Sequence, residues 1–123
     1  MRIGELAQRG GTTTRALRYY ESLGLLTARR TANGQREYDE DGLRLLAEIR
    51  SLADIGFALE DTRPFVECLR DGHTSGDACP ASVAAYRRKL AELDECLARL
   101  AAARDRVRTQ LEQAEQRRRP CAR

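Results

Sequence analysis

The sequence predicts a mostly α-helical chain: a helix-turn-helix head with a small β-hairpin, followed by one long helix that pairs with a copy of itself. Three observations predict it. Apolar residues recur at spacings of three and four in short segments punctuated by Gly10-Gly11, Gly24 and Gly56. A single Asn33-Gly34 step marks a tight hairpin, and one apolar seam runs unbroken in register from Val83 to Ala114.

The first helix rests on Ile3, Leu6 and Ala7, and Gly10-Gly11 ends it. Thr13 is a natural N-cap for a second helix reaching to about Ser22, because its hydroxyl can accept an otherwise unpaired backbone N–H. Two short helices joined by a glycine turn form a helix-turn-helix, whose second helix enters the DNA major groove N-terminus first. Thr14, Arg15 and Arg18 fall in its first two turns, and Arg15 and Arg18 share a face at i, i+3. An arginine fork suits guanine O6 and N7, or a phosphate, bidentately. Tyr19 and Tyr20 point about 100° apart around the helix, so one can fill the core while the other faces a backbone; plain core packing remains open for either.

Beyond Gly24, a type I′ turn at Asn33-Gly34 calls for short strands near residues 26–29 and 36–38. A hairpin directly after such a helix is a wing. Arg29, Arg30 and Arg36 then lie beside the groove to grip phosphates, with a solvated loop as the alternative. Asp39 or Asp41 caps a third helix carrying Leu43, Leu46, Ala47, Ile49 and Leu52 up to Gly56. A fourth helix follows, led by Phe57 and Leu59 with Phe65, Val66 and Leu69 as its apolar face, and Pro64 is tolerated only in its first turns.

Residues 71–79 break every period and form a loop, and Pro80 suits the first turn of the next helix. There Val83, Tyr86, Leu90, Leu93, Leu97, Leu100, Val107 and Leu111 keep strict alternation of three and four, with Arg104 the polar exception. About 37 helical residues extend roughly 55 Å. A seam of that length has no core of its own to face, so a homodimer is expected; a helix folded back on its domain is the alternative. The organisation is therefore a head over residues 1–70, a loop at 71–79, a dimerisation helix at 80–119 and a tail at 120–123.

Charge is segregated along the 123 residues. Residues 1–38 carry seven Arg against three acids, residues 39–77 four against ten, and residues 78–123 eleven basic against six. A basic compact segment is the electrostatic footprint of phosphate binding, although a solvated basic face would look the same. Apolar runs are too short to span a bilayer and the N-terminus lacks the apolar stretch of a secretory signal, so a cytoplasmic protein with no membrane partner is expected. Cys68, Cys79, Cys96 and Cys121 include no CxxC, which fits neither a disulfide framework nor a zinc ribbon; reduced thiols are expected, with Cys68 and Cys96 as small apolar fillers. A lone His73 in a loop gives no catalytic constellation, so the chain is not expected to be an enzyme.

"IGELAQRGGTTTRALRYYESLGLL", "NGQREY" and "DIGFALED", in that order over residues 1 to about 70, resemble the successive signatures of MerR-type transcription regulators. Gln35 departs from the pattern, since members often carry an aromatic residue there. The resemblance implies a winged helix-turn-helix followed by a C-terminal helix that forms an antiparallel coiled-coil dimer. It implies binding to promoter DNA whose −35 and −10 elements are spaced too widely for RNA polymerase, with the spacer bent and untwisted in the active state. The DNA-contacting set expected is Thr13, Thr14, Arg15, Arg18, Tyr19, Tyr20, Arg29, Arg30, Arg36 and Tyr38.

In such relatives the signal is sensed after the DNA-binding part. Cys79 precedes the long helix as a thiolate ligand does in some mercury- and zinc-type members, and in an antiparallel pair Cys121 of the other chain would lie near it. A soft metal on Cys79, Cys121 and His73, or thiol oxidation, are thus two possible triggers; an organic ligand, a protein partner or no effector are others. A coiled-coil adaptor without DNA binding would explain the seam but not the basic head.

Overall fold

The structure is a computed structural model and describes residues 1–118. The chain is mostly helical and divides into two compact units, Met1–Ala85 and Tyr86–Arg123. The first contains helix α1 (Ile3–Gly10), α2 (Thr14–Ser22), strands β1 (Arg29–Arg30) and β2 (Arg36–Glu37), α3 (Glu40–Asp54), a 3-10 turn (Leu59–Thr62) and α4 (Arg63–Arg70). Helix α5 runs without interruption over 39 residues, Pro80–Arg118, so its first turns belong to the first unit.

Local signals set most of these boundaries. Gly11 takes φ 68° at the end of α1, a left-handed conformation that costs glycine little and lets the chain reverse at once. A Cβ on neighbouring Gly10 would sit 2.2 Å from Leu46 Cδ2, so the missing side chain is what lets α1 lie against α3. Thr13 Oγ1 accepts from Ala16 N–H at 3.1 Å and starts α2. Asp39, not Asp41, caps α3 by accepting from Gly42 N–H at 3.2 Å. Pro64 falls in the opening turn of α4.

The core of the first unit consists of three buried clusters. Leu6, Ala7, Leu17, Leu26, Tyr38 and Leu46 form one cluster, and Leu25, Leu45, Ile49 and Val66 form the next, with Tyr20 packed against both. Leu52, Phe57, Phe65 and Ala85 form a third, in which the two phenylalanine rings meet edge to face at 5.6 Å. Each fully buried leucine contributes about 1.5–3 kcal/mol by leaving water, and Leu17 is what seats α2.

The hairpin differs from expectation in two ways. Its strands are only two residues each, paired antiparallel with Arg29 opposite Glu37 and Arg30 opposite Arg36. The turn is not type I′, because Asn33 keeps a negative φ and only Gly34 is positive, at 77°. Gly34 N–H donates to Thr31 C=O at 2.9 Å, and the Thr31 hydroxyl accepts from Gln35 N–H at 3.2 Å. This side-chain bond supports a longer loop whose single left-handed position is the glycine.

Candidate nucleic-acid interface

Helix α2 buries Leu17 and turns its opposite face to solvent. Thr13, Thr14, Arg15, Arg18 and Tyr19 are all exposed there, Tyr19 by 52%. Neither Arg15 nor Arg18 has a hydrogen bond or ion pair among the described residues. Two unpaired guanidinium groups on one exposed face suit a polyanion, since no internal carboxylate competes for them. Of the two tyrosines, Tyr20 packs into the core and Tyr19 keeps its ring outside.

The hairpin adds three more arginines. Arg29 is exposed and lies 3.6 Å from Asp39, Arg30 donates to Gly34 C=O at 3.1 Å, and Arg36 pairs with Glu21 at 2.8 Å. The last contact ties β2 to the end of α2. Glu21 is largely buried, and its second carboxylate oxygen has no partner among the described residues, so Arg36 is the charge that balances it.

Tyr38 does not sit where the sequence places it. Its side chain is only 3% exposed and packs in the first core cluster, so it is not available at the surface as a DNA contact. The strands are too short to carry the chain past β2 in an exposed register, and Tyr38 turns inward toward Leu26 and Leu46. Its backbone is fixed by the N-terminus, with Tyr38 N–H donating to Met1 C=O at 2.6 Å and the Met1 ammonium donating to Tyr38 C=O at 2.5 Å.

Three arginines that the sequence gives no reason to single out hold the interface from behind. Arg50 of α3 donates to the carbonyls of Gly10 and, at 2.7 Å, Gly11, closing the α1–α2 turn. Arg63 donates to Leu23 C=O at the end of α2. Arg70 donates to Gly24 C=O at 2.9 Å and to Thr27 Oγ1 at 3.0 Å, fixing the approach to the wing. These bonds cap carbonyls that a helix end otherwise leaves unpaired.

The cysteines are also arranged otherwise than expected. Cys68, buried in α4, forms a disulfide with Cys79, the residue just before α5, with their Cα atoms 5.9 Å apart. Neither is a reduced thiol, and Cys68 is more than a filler: residues 71–79 fold back so that the end of α4 meets the start of α5. His73 stands in that loop with its ring beside both sulfurs. Cys96 is exposed on α5 rather than buried, and Cys121 lies outside the described residues. No described helix is long and apolar enough to cross a membrane.

On the second unit, Tyr86, Leu90, Leu93, Leu97, Leu100, Val107 and Leu111 are each 36–67% exposed, as is Val83 just before it at 39%. The expected seam is therefore an open apolar stripe on α5 within one chain.

Comparison with known proteins agrees with this arrangement. The family model described as MerR HTH family regulatory protein matches residues 1–67, and the one described as MerR, DNA binding matches residues 43–110. An uncharacterised HTH-type transcriptional regulator of Pseudomonas aeruginosa is 38% identical over 91 residues, covering 73% of this chain and 69% of that one. The nodulation protein NolA of Bradyrhizobium elkanii is 38% identical over 108 residues, covering 87% of this chain, which spans 45% of NolA. Among solved structures, the transcription regulator PbrR691 of Ralstonia metallidurans in complex with lead(II) aligns with TM-score 0.72 and 29% identity, over 89% of this chain and 83% of that one. On these grounds the chain belongs to the MerR family of helix-turn-helix transcriptional regulators and carries that family's DNA-binding domain.

Proposed function

We propose that this chain binds promoter DNA as a homodimer and controls transcription by straining the spacer between the −35 and −10 elements where RNA polymerase must engage. The reading rests chiefly on Arg15 and Arg18, exposed on one face of α2 and unpaired among the described residues. Placed in a major groove, they and Thr14, all in the first two turns of the helix, contact base edges or phosphates. Arg29, Arg30 and Arg36 grip phosphates flanking that groove, and Tyr19 presses its exposed ring against the backbone. Tyr20 supports α2 from inside, and Thr13 holds the N-terminus of the helix.

The stripe on α5 supports the dimeric part of this reading. Seven large apolar side chains of the second unit, all more than a third exposed, lower their free energy by facing the same stripe on a second copy, in an antiparallel coiled coil. A helix of 39 residues is about 58 Å long, more than the about 34 Å of one DNA turn. Two heads fixed on one rod can hold two half-sites and bend what lies between, with the cost of deformation offset by extra phosphate contacts.

The direct test is a mobility shift and footprint on DNA upstream of the chain's own gene. The expected result is a protected two-fold site with hypersensitive central base pairs, and affinity that falls steeply as salt rises. Arg18→Ala should cost about 1–3 kcal/mol of specific binding with an unchanged melting temperature. Normal operator binding by that variant would remove Arg18 from the contact set. A chain that retards no duplex at low salt would leave only the coiled-coil adaptor.

A further inference from the structure

Three side chains that DNA binding does not use converge where α4 ends. The donor atoms of Cys68, His73 and Cys79 all lie within 4.8 Å of one another. They come from three settings: Cys68 is buried in α4, Cys79 is half-buried before α5, and His73 is exposed in the loop between. We propose that the reduced chain binds one zinc-class divalent ion on Cys68, His73 and Cys79, and that the Cys68–Cys79 disulfide is the alternative, metal-free state of the same site.

The donor set carries the chemistry. Two thiolates and an imidazole select zinc, cadmium and similar ions over magnesium or calcium, which prefer oxygen. Zinc bonds of about 2.3 Å to sulfur and 2.0–2.1 Å to nitrogen put tetrahedral donors about 3.5–3.8 Å apart. The three atoms lie within a side-chain rotation of that spacing. Three protein ligands leave one coordination position open, which makes the ion exchangeable rather than permanently enclosed.

The backbone holds these donors together without the sulfur–sulfur bond. His73 N–H donates to Cys68 C=O at 3.4 Å, and Gly72 turns the loop back at φ 96°. Ser82, fully buried on α5, donates from Oγ to Gly76 C=O at 2.5 Å. Ser82 and Val83 N–H both reach Cys79 C=O, at 3.0 and 3.3 Å. Such pre-ordering lowers the entropy cost of gathering three ligands from a loop.

The two states exclude each other because a sulfur in a disulfide has no thiolate to donate. A dithiol reductant returns the pair: the reductant is oxidised to its own disulfide, while Cys68 and Cys79 gain two electrons and two protons. Metal binding then releases the thiol protons. Either linkage closes residues 69–78 and fixes the junction between α4 and the first turn of α5.

The test uses the full chain, reduced with dithiothreitol, freed of it under nitrogen and titrated with cobalt(II) as a probe for zinc. One cobalt per chain with a near-ultraviolet sulfur-to-cobalt charge-transfer band is expected, displaced by zinc. Zinc should protect Cys68 and Cys79, but not Cys96, from alkylation mapped by mass spectrometry. His73→Ala, at an exposed loop position, should fold normally and weaken binding by more than the about 10–100-fold that loss of an outer-sphere partner costs. Cys121→Ser should leave binding unchanged, and oxidation with diamide should abolish it. Binding without a charge-transfer band, alkylation of Cys68 in the presence of zinc, or loss of binding in Cys121→Ser would overturn the site. None of these readouts involves DNA, so their failure leaves the proposed function standing.

Discussion

Arg36 on β2 and Glu21 near the end of α2 meet at 2.8 Å, an ion pair that joins the wing to the helix before it. Glu21 is only 14% exposed and its other oxygen is unpartnered among the described residues, whereas Arg36 is more than half exposed. The pair is thus a buried carboxylate answered by a surface cation. Arg36→Ala should destabilise the domain by about 1–2 kcal/mol, less than a fully buried pair because solvent screens the arginine. Adding Glu21→Gln should recover most of that loss, since an amide carries no charge to strand. A double-mutant cycle by chemical denaturation checks this, and additive losses would show that the contact contributes nothing.

Tyr38 gives a second test, because its buried hydroxyl has no hydrogen-bond partner among the described residues. Leaving a polar group dry and unpaired costs about 1–3 kcal/mol. Tyr38→Phe should therefore be neutral or stabilising and leave DNA affinity unchanged, while Tyr38→Ala should lose about 3–5 kcal/mol through the cavity it opens. Loss of operator binding in the Phe variant at full stability would return Tyr38 to the contact surface.

The contrast between Arg36 and Tyr38, two residues apart, marks how far the sequence is legible. Local signals were readable: Gly11, Thr13, Asp39 and Pro80 each act through a backbone conformation or a bond within three residues, and each sits at or next to the end of the element expected. The faces of α2 and α5 were readable because a helix repeats often enough to show its period. Two-residue strands never complete a period, so nothing in "REY" says which side Tyr38 takes. Arg50, Arg63 and Arg70 act on carbonyls about 40 positions away, and no local pattern encodes them. The disulfide escaped for the same reason, because residues 71–79 have no period from which to infer their path.

Exposure along α5 sets the third prediction. Leu97 and Leu100 are 63% and 67% exposed at the middle of the stripe, so in a lone chain either tolerates a charge. In a paired rod the same charge is buried without a partner. Replacing both by Asp should leave helix content and the melting temperature of the head unchanged while sedimentation reports a monomer. A dimer that survives the double substitution would mean that the chain associates through another surface.

Glu48 on α3 supplies the pH dependence. Burial raises its pKa above the usual carboxylate value, and the negative charge of Asp77 in the loop before α5 adds to the shift. The folded state thus holds this proton more tightly than the unfolded one. Ionised Glu48 opposes folding at neutral pH, and the opposition fades as pH falls through its raised titration range. Glu48→Gln should therefore melt higher than the parent at neutral pH, with the gap closing in mild acid as the parent's carboxyl takes up its proton. Thermal unfolding of both proteins across that range decides it. A gap that stays constant would mean that the amide acts through packing against Gly76, whose backbone lies against the Glu48 carboxylate, rather than through charge.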